Sequence, residues 1–298
     1  MEDFFQYLPT DLINVIVPYI HNYSDLDNLI ISFPDFKSLN WPLIHFYTFG
    51  GKYLPNMTYE EHIRILAIHS LIIKLNLNTT PDILKDAESL GLSGKKLMSI
   101  PKEIGNLQNL ENLNLSHNQL ADVSKEIGNL QNLLILDLYN NKLTSIPKEI
   151  GNLQNLQYLY LHNNQLKNVP REIGNLHNLQ HLHLSNNQLV DIPKEIGNLQ
   201  NLKYLYLNNN RFTNVPEEIG NLKNLQLLYL ANNQLTGIPK EIGNLKNLEH
   251  LYLGNNQLTG IPKEIGNLQN LQTLILGNNQ LTDVPKEIKD MVGLNLIT

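Results

Sequence analysis

The sequence contains no cysteine in 298 residues. A disulfide framework, a thiolate zinc site and a catalytic thiol are therefore excluded, and a reducing, intracellular setting suits such a chain. Positive charge is also short: 22 lysines and arginines against 28 aspartates and glutamates leave a net charge of -6. No run of basic residues interrupts that balance, so there is no electrostatic footprint for a phosphate backbone, and nucleic acid is not an expected partner. Long apolar runs are missing too. The opening "MEDFFQYLPTDLINVIVPYI" starts acidic, lacks a basic n-region and breaks at Pro18, which makes it a poor signal peptide and too short to span a membrane. The expectation is an unexported, cytoplasmic chain with no membrane partner. Asn-x-Ser/Thr triplets at Asn22, Asn56, Asn78 and Asn114 would be glycan acceptors only in a secretory context.

What is present is repetition. From Ile100 to Asp283 the chain repeats every 23 residues without insertion, in eight complete units such as "IPKEIGNLQNLQYLYLHNNQLKN". Each carries L-x-x-L-x-L-x-x-N-x-L, as in Leu156, Leu159, Leu161, Asn164 and Leu166. Leu159 and Leu161 are two apart, so they point to one side of a short extended segment while Tyr158 and Tyr160 point to the other. The recurring asparagine, Asn118, Asn141, Asn164 and onward to Asn279, stands where the chain must turn, and its amide can satisfy backbone groups of adjacent turns as a ladder. Ile150, Leu153 and Leu156 follow Pro147 at helical spacing, which predicts a short helical or 3₁₀ turn. No unit can bury its own apolar face, so neighbours must stack.

These residues resemble the 23-residue leucine-rich repeats of bacterial and Ras-group intracellular families, through "IPKEIGNLQNLQ" and the following "NQL". The resemblance implies an α/β solenoid, with a curved parallel sheet on the concave face and short helical or 3₁₀ turns on the convex face. It also implies a non-catalytic recognition module without a cofactor. Residues 80–99 read as a degenerate first repeat, with "SLGLSGKKL" as its strand, Lys95 in the asparagine position, and a helix opened by Thr80 and Pro81 before it. Residues 100–283 are the eight full repeats, and residues 284–298 are a short C-terminal cap in which Lys289 and Asp290 replace Gly-Asn. That segment either folds over the last repeat or meets a second chain end to end.

Residues 1–79 lack the period and hold six of the seven phenylalanines, six of the thirteen tyrosines and the single tryptophan, Trp41. A helix is expected over "YEEHIRILAIHSLIIKL", opened by a capping box of Thr58 and Glu61, with Ile63 and Leu66 seeking a core. Upstream, "LPTDLINVIVPYIHNYSDLDNLIISFPDFKSLNW" resembles an F-box through Leu8, Pro9, Asp11, Leu12, Ile16, Asp25, Leu26, Leu29 and Ser32. That resemblance implies docking on the adaptor subunit of a cullin-type ubiquitin ligase, with the repeats as the substrate arm. Pro18 interrupts the first helix, and "FPDFKSL" stands where that family ends in Cys-Lys-x-Trp. The combination is similar to leucine-rich repeat proteins of giant DNA viruses, which would place the chain inside a host cell. A simpler alternative is a helical cap in which Leu8, Leu12, Ile16 and Leu26 only cover the first repeat. A third, a secreted bacterial surface-binding protein, is disfavoured by the missing signal.

Placed on the strand grid, all seven tyrosines after residue 80 fall in concave-facing columns: Tyr139, Tyr158, Tyr160, Tyr204, Tyr206, Tyr229 and Tyr252. His162, His181, His183 and His250 do the same. These eleven residues are the candidate partner-binding set, for a protein or an extended peptide. High strand propensity of tyrosine and copying of whole units would also produce them, yet the flanking repeats carry Asn112 and Asn114, or Thr273 and Ile275, in the same columns. Tyrosine suits recognition because it joins rigid apolar area to a hydrogen-bonding tip. Five strand steps from the repeat of Tyr139 to that of Tyr252 span roughly 24 Å, a core within a larger contact or a seat for one peptide. The imidazoles are expected in solvent, titrating near pH 6.5. A zinc site at His162, His181 and His183 has only Asp137 nearby and no thiolate, and no nucleophile, base and acid converge, so neither metal nor catalysis is expected.

Overall fold

The computed structural model describes residues 59–298. The chain divides into two compact units, Met1–Asp86 and Ala87–Thr298. Leu8, Pro9, Leu12, Ile16 and Leu26, with Thr58 of the expected capping box, lie outside the described residues. In the first unit α1 runs Tyr59–Lys74 and buries Ile65, Ile68, Leu71 and Ile72, the stripe that a 3.6-residue period predicts. A short α2, Pro81–Leu84, follows Thr80, whose backbone is extended and whose side chain makes no capping bond. Proline at the first position starts it instead. Arg64 Nη2 donates to Lys85 O at 3.4 Å across the two helices.

The second unit is a ladder of three-residue strands: β1 Ser89–Gly91, β2 Asn112–Asn114, β3 Ile135–Asp137, β4 Tyr158–Tyr160, β5 His181–His183, β6 Tyr204–Tyr206, β7 Leu227–Tyr229, β8 His250–Tyr252, β9 Thr273–Ile275 and β10 Asn295–Ile297. All ten pair in parallel in chain order. The register follows the period, with Leu136 opposite Leu159 and Leu159 opposite Leu182. Strand leucines and the following leucines, such as Leu159 and Leu161, are fully buried, while the strand residues between them are partly exposed. This is the alternation that fixes which side chains leave the core.

Three residues beyond each of β3 to β9 the backbone turns left-handed. Asn140, Asn163, Asn186, Asn209, Asn232, Asn255 and Asn278 all have φ of 54–58°, a region asparagine tolerates better than most residues. The residue after it makes the expected ladder. Asn164 Nδ2 donates to Leu138 O and Leu161 O at 3.0 Å each, and its Oδ1 accepts from Leu143 N at 3.0 Å. A second ladder escaped the sequence: Asn155 Nδ2 reaches Gln131 O at 2.9 Å and Asn178 Nδ2 reaches Gln154 O at 2.8 Å, one repeat apart on the exposed return segment.

The return segment is a 3₁₀ turn in each full repeat, such as Lys148–Asn152 after Pro147. Glycine is obligatory there, because a Cβ on Gly151 would sit 2.5 Å from Glu172 O in the neighbouring turn. The C-terminal segment adds α3, Lys286–Lys289, and buries Val284 and Ile288. It then contributes β10, with Asn295 N bonded to Gln272 O at 2.8 Å and Leu276 N to Ile297 O at 2.7 Å. The segment lies over the last repeat, and β10 is itself the outermost strand of the sheet, with Val292 and Ile297 exposed.

Candidate functional site

Three columns of side chains leave the sheet on the face opposite the leucines. Tyr158, His181, Tyr204 and His250 occupy the first strand position. Tyr160, His183, Tyr206, Tyr229 and Tyr252 occupy the third. Tyr139 and His162 stand two residues beyond, just past the strands. All eleven candidate residues share this face.

The rings pack on one another rather than projecting singly. Tyr158, His181 and Tyr204 stack with centroids 4.6 and 4.5 Å apart. A longer ladder starts with Tyr139 stacked on His162 at 4.1 Å, steps to His183 at 5.5 Å, and continues to Tyr206 at 3.9 Å. It runs on to Tyr229 at 6.5 Å and Tyr252 at 4.7 Å. Tyr160 closes edge-on against His183 at 5.1 Å. The parallel register sets rungs about 4.8 Å apart, close to the separation favoured by aromatic pairs. Identical spacing along the array is thus what turns separate rings into a continuous ladder.

His117, absent from the predicted set, extends this ladder. Its ring meets Tyr139 edge-on at 4.7 Å and its Nδ1 bonds Asn140 Nδ2 at 2.8 Å. His117 occupies the left-handed column otherwise filled by asparagine, with φ of 54°. The substitution of histidine for asparagine at a fixed repeat position was the available signal.

Packing changes the expected chemistry of the rings. Burial pulls His183 down to about 4, with His162 and His181 adding like-charge repulsion. Burial also lowers His162, against the pull of Asp137, and lowers His181, helped by Lys203. The expectation of imidazoles titrating near 6.5 is thereby corrected for these three: at neutral pH they are uncharged. Tyr160 and Tyr206 are raised, mainly by burial, so both keep their phenolic protons. His162 Nδ1 and His250 Nδ1 are buried with no hydrogen-bond partner. His162, His181 and His183 therefore present uncharged imidazoles beside the protonated hydroxyls of Tyr160 and Tyr206.

Asp137 is the one carboxylate in these columns. Its Oδ1 accepts from Tyr139 N at 3.0 Å, and in the preceding repeat Asn114 Oδ1 accepts from Ser116 N, also at 3.0 Å. No group of three histidine, aspartate or glutamate side chains among the described residues could hold a metal. No helix among the described residues is long and apolar enough to cross a membrane.

Comparison with known proteins agrees with this architecture. The family profile described as a leucine-rich repeat region matches residues 50–157, 124–202 and 192–259, and one described as two copies of leucine-rich repeats matches residues 246–289. A solved Leptospira interrogans leucine-rich repeat protein is 38% identical, covers 76% of this chain and 68% of its own, and superposes with a TM-score of 0.55. The plant peptide hormone receptor RGFR1, solved in complex with RGF2, is 37% identical over 66% of this chain, with a TM-score of 0.60. A TDR receptor is 31% identical over 70% of this chain, with a TM-score of 0.51. The matches span only 33% and 46% of those two receptor chains. No curated protein sequence matches the chain. With the profile covering most of the sequence and every repeat closing the same strand, turn and asparagine ladder, the chain belongs to the leucine-rich repeat family.

Proposed function

We propose that the chain is a non-catalytic interaction module whose concave ring face binds a protein or an extended peptide. The observation that carries this reading is the unbroken ladder from His117 to Tyr252 on the face opposite the core. Rings held by one another lose little side-chain freedom on binding, and such preorganisation favours affinity. They also combine apolar area with polar tips, the composition of interface anchors. Similarity to a receptor solved with a peptide hormone supports a peptide among the possible partners. The test is selection of peptides from a displayed library on the wild-type chain, followed by binding to Tyr160→Ala with Tyr206→Ala. Selected peptides should lose most of their affinity for the variant while its circular dichroism stays that of the folded array. Equal affinity would move the binding surface elsewhere.

A second reading rests on the N-terminal residues. The F-box resemblance through Leu8, Pro9, Leu12, Ile16 and Leu26, followed by repeats, has the order of a substrate receptor of a cullin ligase inside a cell. The full chain should then retain a cullin adaptor subunit in a pull-down, and Leu8→Asp with Leu12→Asp should abolish retention. Failure of the intact, folded chain to bind the adaptor leaves these residues as a cap.

A further inference from the structure

Asp137 carries a charge that its structural role does not require. Oδ1 accepts the Tyr139 N–H at 3.0 Å, which holds the chain as it leaves β3. Asn114, at the same position one repeat earlier, accepts the Ser116 N–H at the same distance with a neutral amide. The turn is thus made equally well without the charge. Burying part of a carboxylate among rings also costs solvation, so the local fold gives no reason for aspartate over asparagine.

What surrounds the carboxylate is electron-rich. In the strand register Asp137 lies directly opposite Tyr160. Tyr139 is two residues along its own chain, stacked on His162 at 4.1 Å, and Tyr160 meets His162 edge-on at 6.3 Å. The field of Asp137 reaches both Tyr160 and His162, raising the proton affinity of each. The ion pairs of Lys85 with Asp86, Arg171 with Glu172 and Lys289 with Asp283 do not involve Asp137. Lys142, five residues along the chain, donates to Gln119 Oε1 at 3.3 Å, and the charged residue just before β2, Glu111, is itself acidic.

We propose that Asp137, framed by Tyr139, Tyr160 and His162, is the seat for an arginine side chain of the bound peptide. This rests on the concave-face reading and adds the chemistry of one anchor. A guanidinium is planar, so it can lie against a tyrosine face while its N–H groups donate to the carboxylate. An ammonium is a compact charge and satisfies only one of these contacts well. The neutral neighbouring imidazoles offer no opposing charge, and the negative surroundings favour a cationic anchor at this end of the ring ladder.

The test uses the full chain and ethylguanidinium chloride as probe, followed by NMR of labelled tyrosine and histidine rings. Saturable shifts at Tyr160 and His162 in the millimolar range are expected, with ethylammonium binding more weakly. Asp137→Asn keeps the turn acceptor, so its melting should be unchanged while guanidinium affinity falls about tenfold, the equivalent of one charge-assisted bond. Asp137→Glu should retain part of the affinity. No saturable shift, or equal binding by Asp137→Asn, overturns the site. In the peptide selection, ring-dependent binders should carry arginine at a fixed position, and that preference should vanish on Asp137→Asn. Ring-dependent binders without arginine preference overturn this inference and leave the concave reading standing. Binders indifferent to the ring substitutions overturn both.

Discussion

Replacing Asn164 by alanine tests what holds one repeat to the next. The amide serves four places at once: Leu138 O, Leu161 O and, at 3.4 Å, His162 O accept from Nδ2, and Leu143 N donates to Oδ1. The losses are unequal. Leu138 O keeps Asn141 Nδ2 at 3.1 Å, and Leu161 O keeps Asn187 Nδ2 at 3.0 Å, so each carbonyl retains a partner from the adjoining rung. Only the Leu143 N–H, a buried donor, is orphaned. An unsatisfied buried amide costs about 1–3 kcal/mol, and two secondary bonds add roughly 0.5–1 kcal/mol each. Asn164→Ala should therefore destabilise by about 2–5 kcal/mol. Urea unfolding followed by circular dichroism gives the total, and hydrogen exchange at the Leu143 amide gives the local part.

Asn164→Asp separates the donor from the acceptor. A carboxylate still accepts from Leu143 N but opposes two carbonyl oxygens, so its pKa in the fold must rise above the unfolded value near 3.9. A raised carboxyl stabilises only while it is protonated: the variant should be least stable at neutral pH and recover as pH falls through that raised value. A cost under 0.5 kcal/mol for Asn164→Ala, with Leu143 protection unchanged, would refute the ladder as a structural bond.

For His183 the folded pKa of about 4 lies below the unfolded value, so the neutral ring stabilises fully above about pH 6.5 and that stability is lost toward pH 4. The loss should be on the order of 1–2 kcal/mol after solvent screening, and His183→Phe should flatten the acid limb of thermal melts; an unchanged limb would mean the ring is freely hydrated. Tyr160→Ala with Tyr206→Ala should cost about 1–3 kcal/mol from lost ring pairs and area, whereas Leu161→Ala should cost about 2–5 kcal/mol, both read from denaturant midpoints. Gly197→Ala places a methyl 2.6 Å from Glu218 O and should lower stability by about 1–3 kcal/mol; no change in melting would show that the turns can separate freely. Deleting residues 284–298 uncovers Leu274 and Leu276, now buried, and should cause aggregation visible by light scattering.

The leucine and asparagine positions were legible because repetition multiplied a weak local signal. A single L-x-x-L-x-L fits several structures, but eight copies in register leave only a stacked array. The glycine of "KEIGN" was not legible as a contact, since its constraint comes from Glu172 O in a different repeat. The exposed Asn155 ladder was hidden for the same reason: its acceptor lies 24 residues away. Both belong to the interface between turns, which no single unit describes. The side of the sheet carrying Tyr158 and Tyr160 followed from alternation alone, but the depressed proton affinity of His183 did not. That property required the distances to Tyr160 and Tyr206 on flanking strands.

The same geometry explains why one face can vary while the other stays constant. Leu136, Leu159, Leu182 and Leu205 fill the shared core, where a volume change is felt across two neighbours at once. The residues opposite them run Asp137, Tyr160, His183 and Tyr206, and none has to fill the core. Their spacing is still imposed by the buried side, so rings on consecutive strands arrive about 4.8 Å apart whatever selected them. Stacking is therefore inherited from the core, and recognition chemistry is carried by the departures from uniformity: histidine within a tyrosine column, His117 in an asparagine column, and a charged Asp137 where Asn114 already suffices. Those departures are the positions at which substitution should alter binding with the least effect on the array.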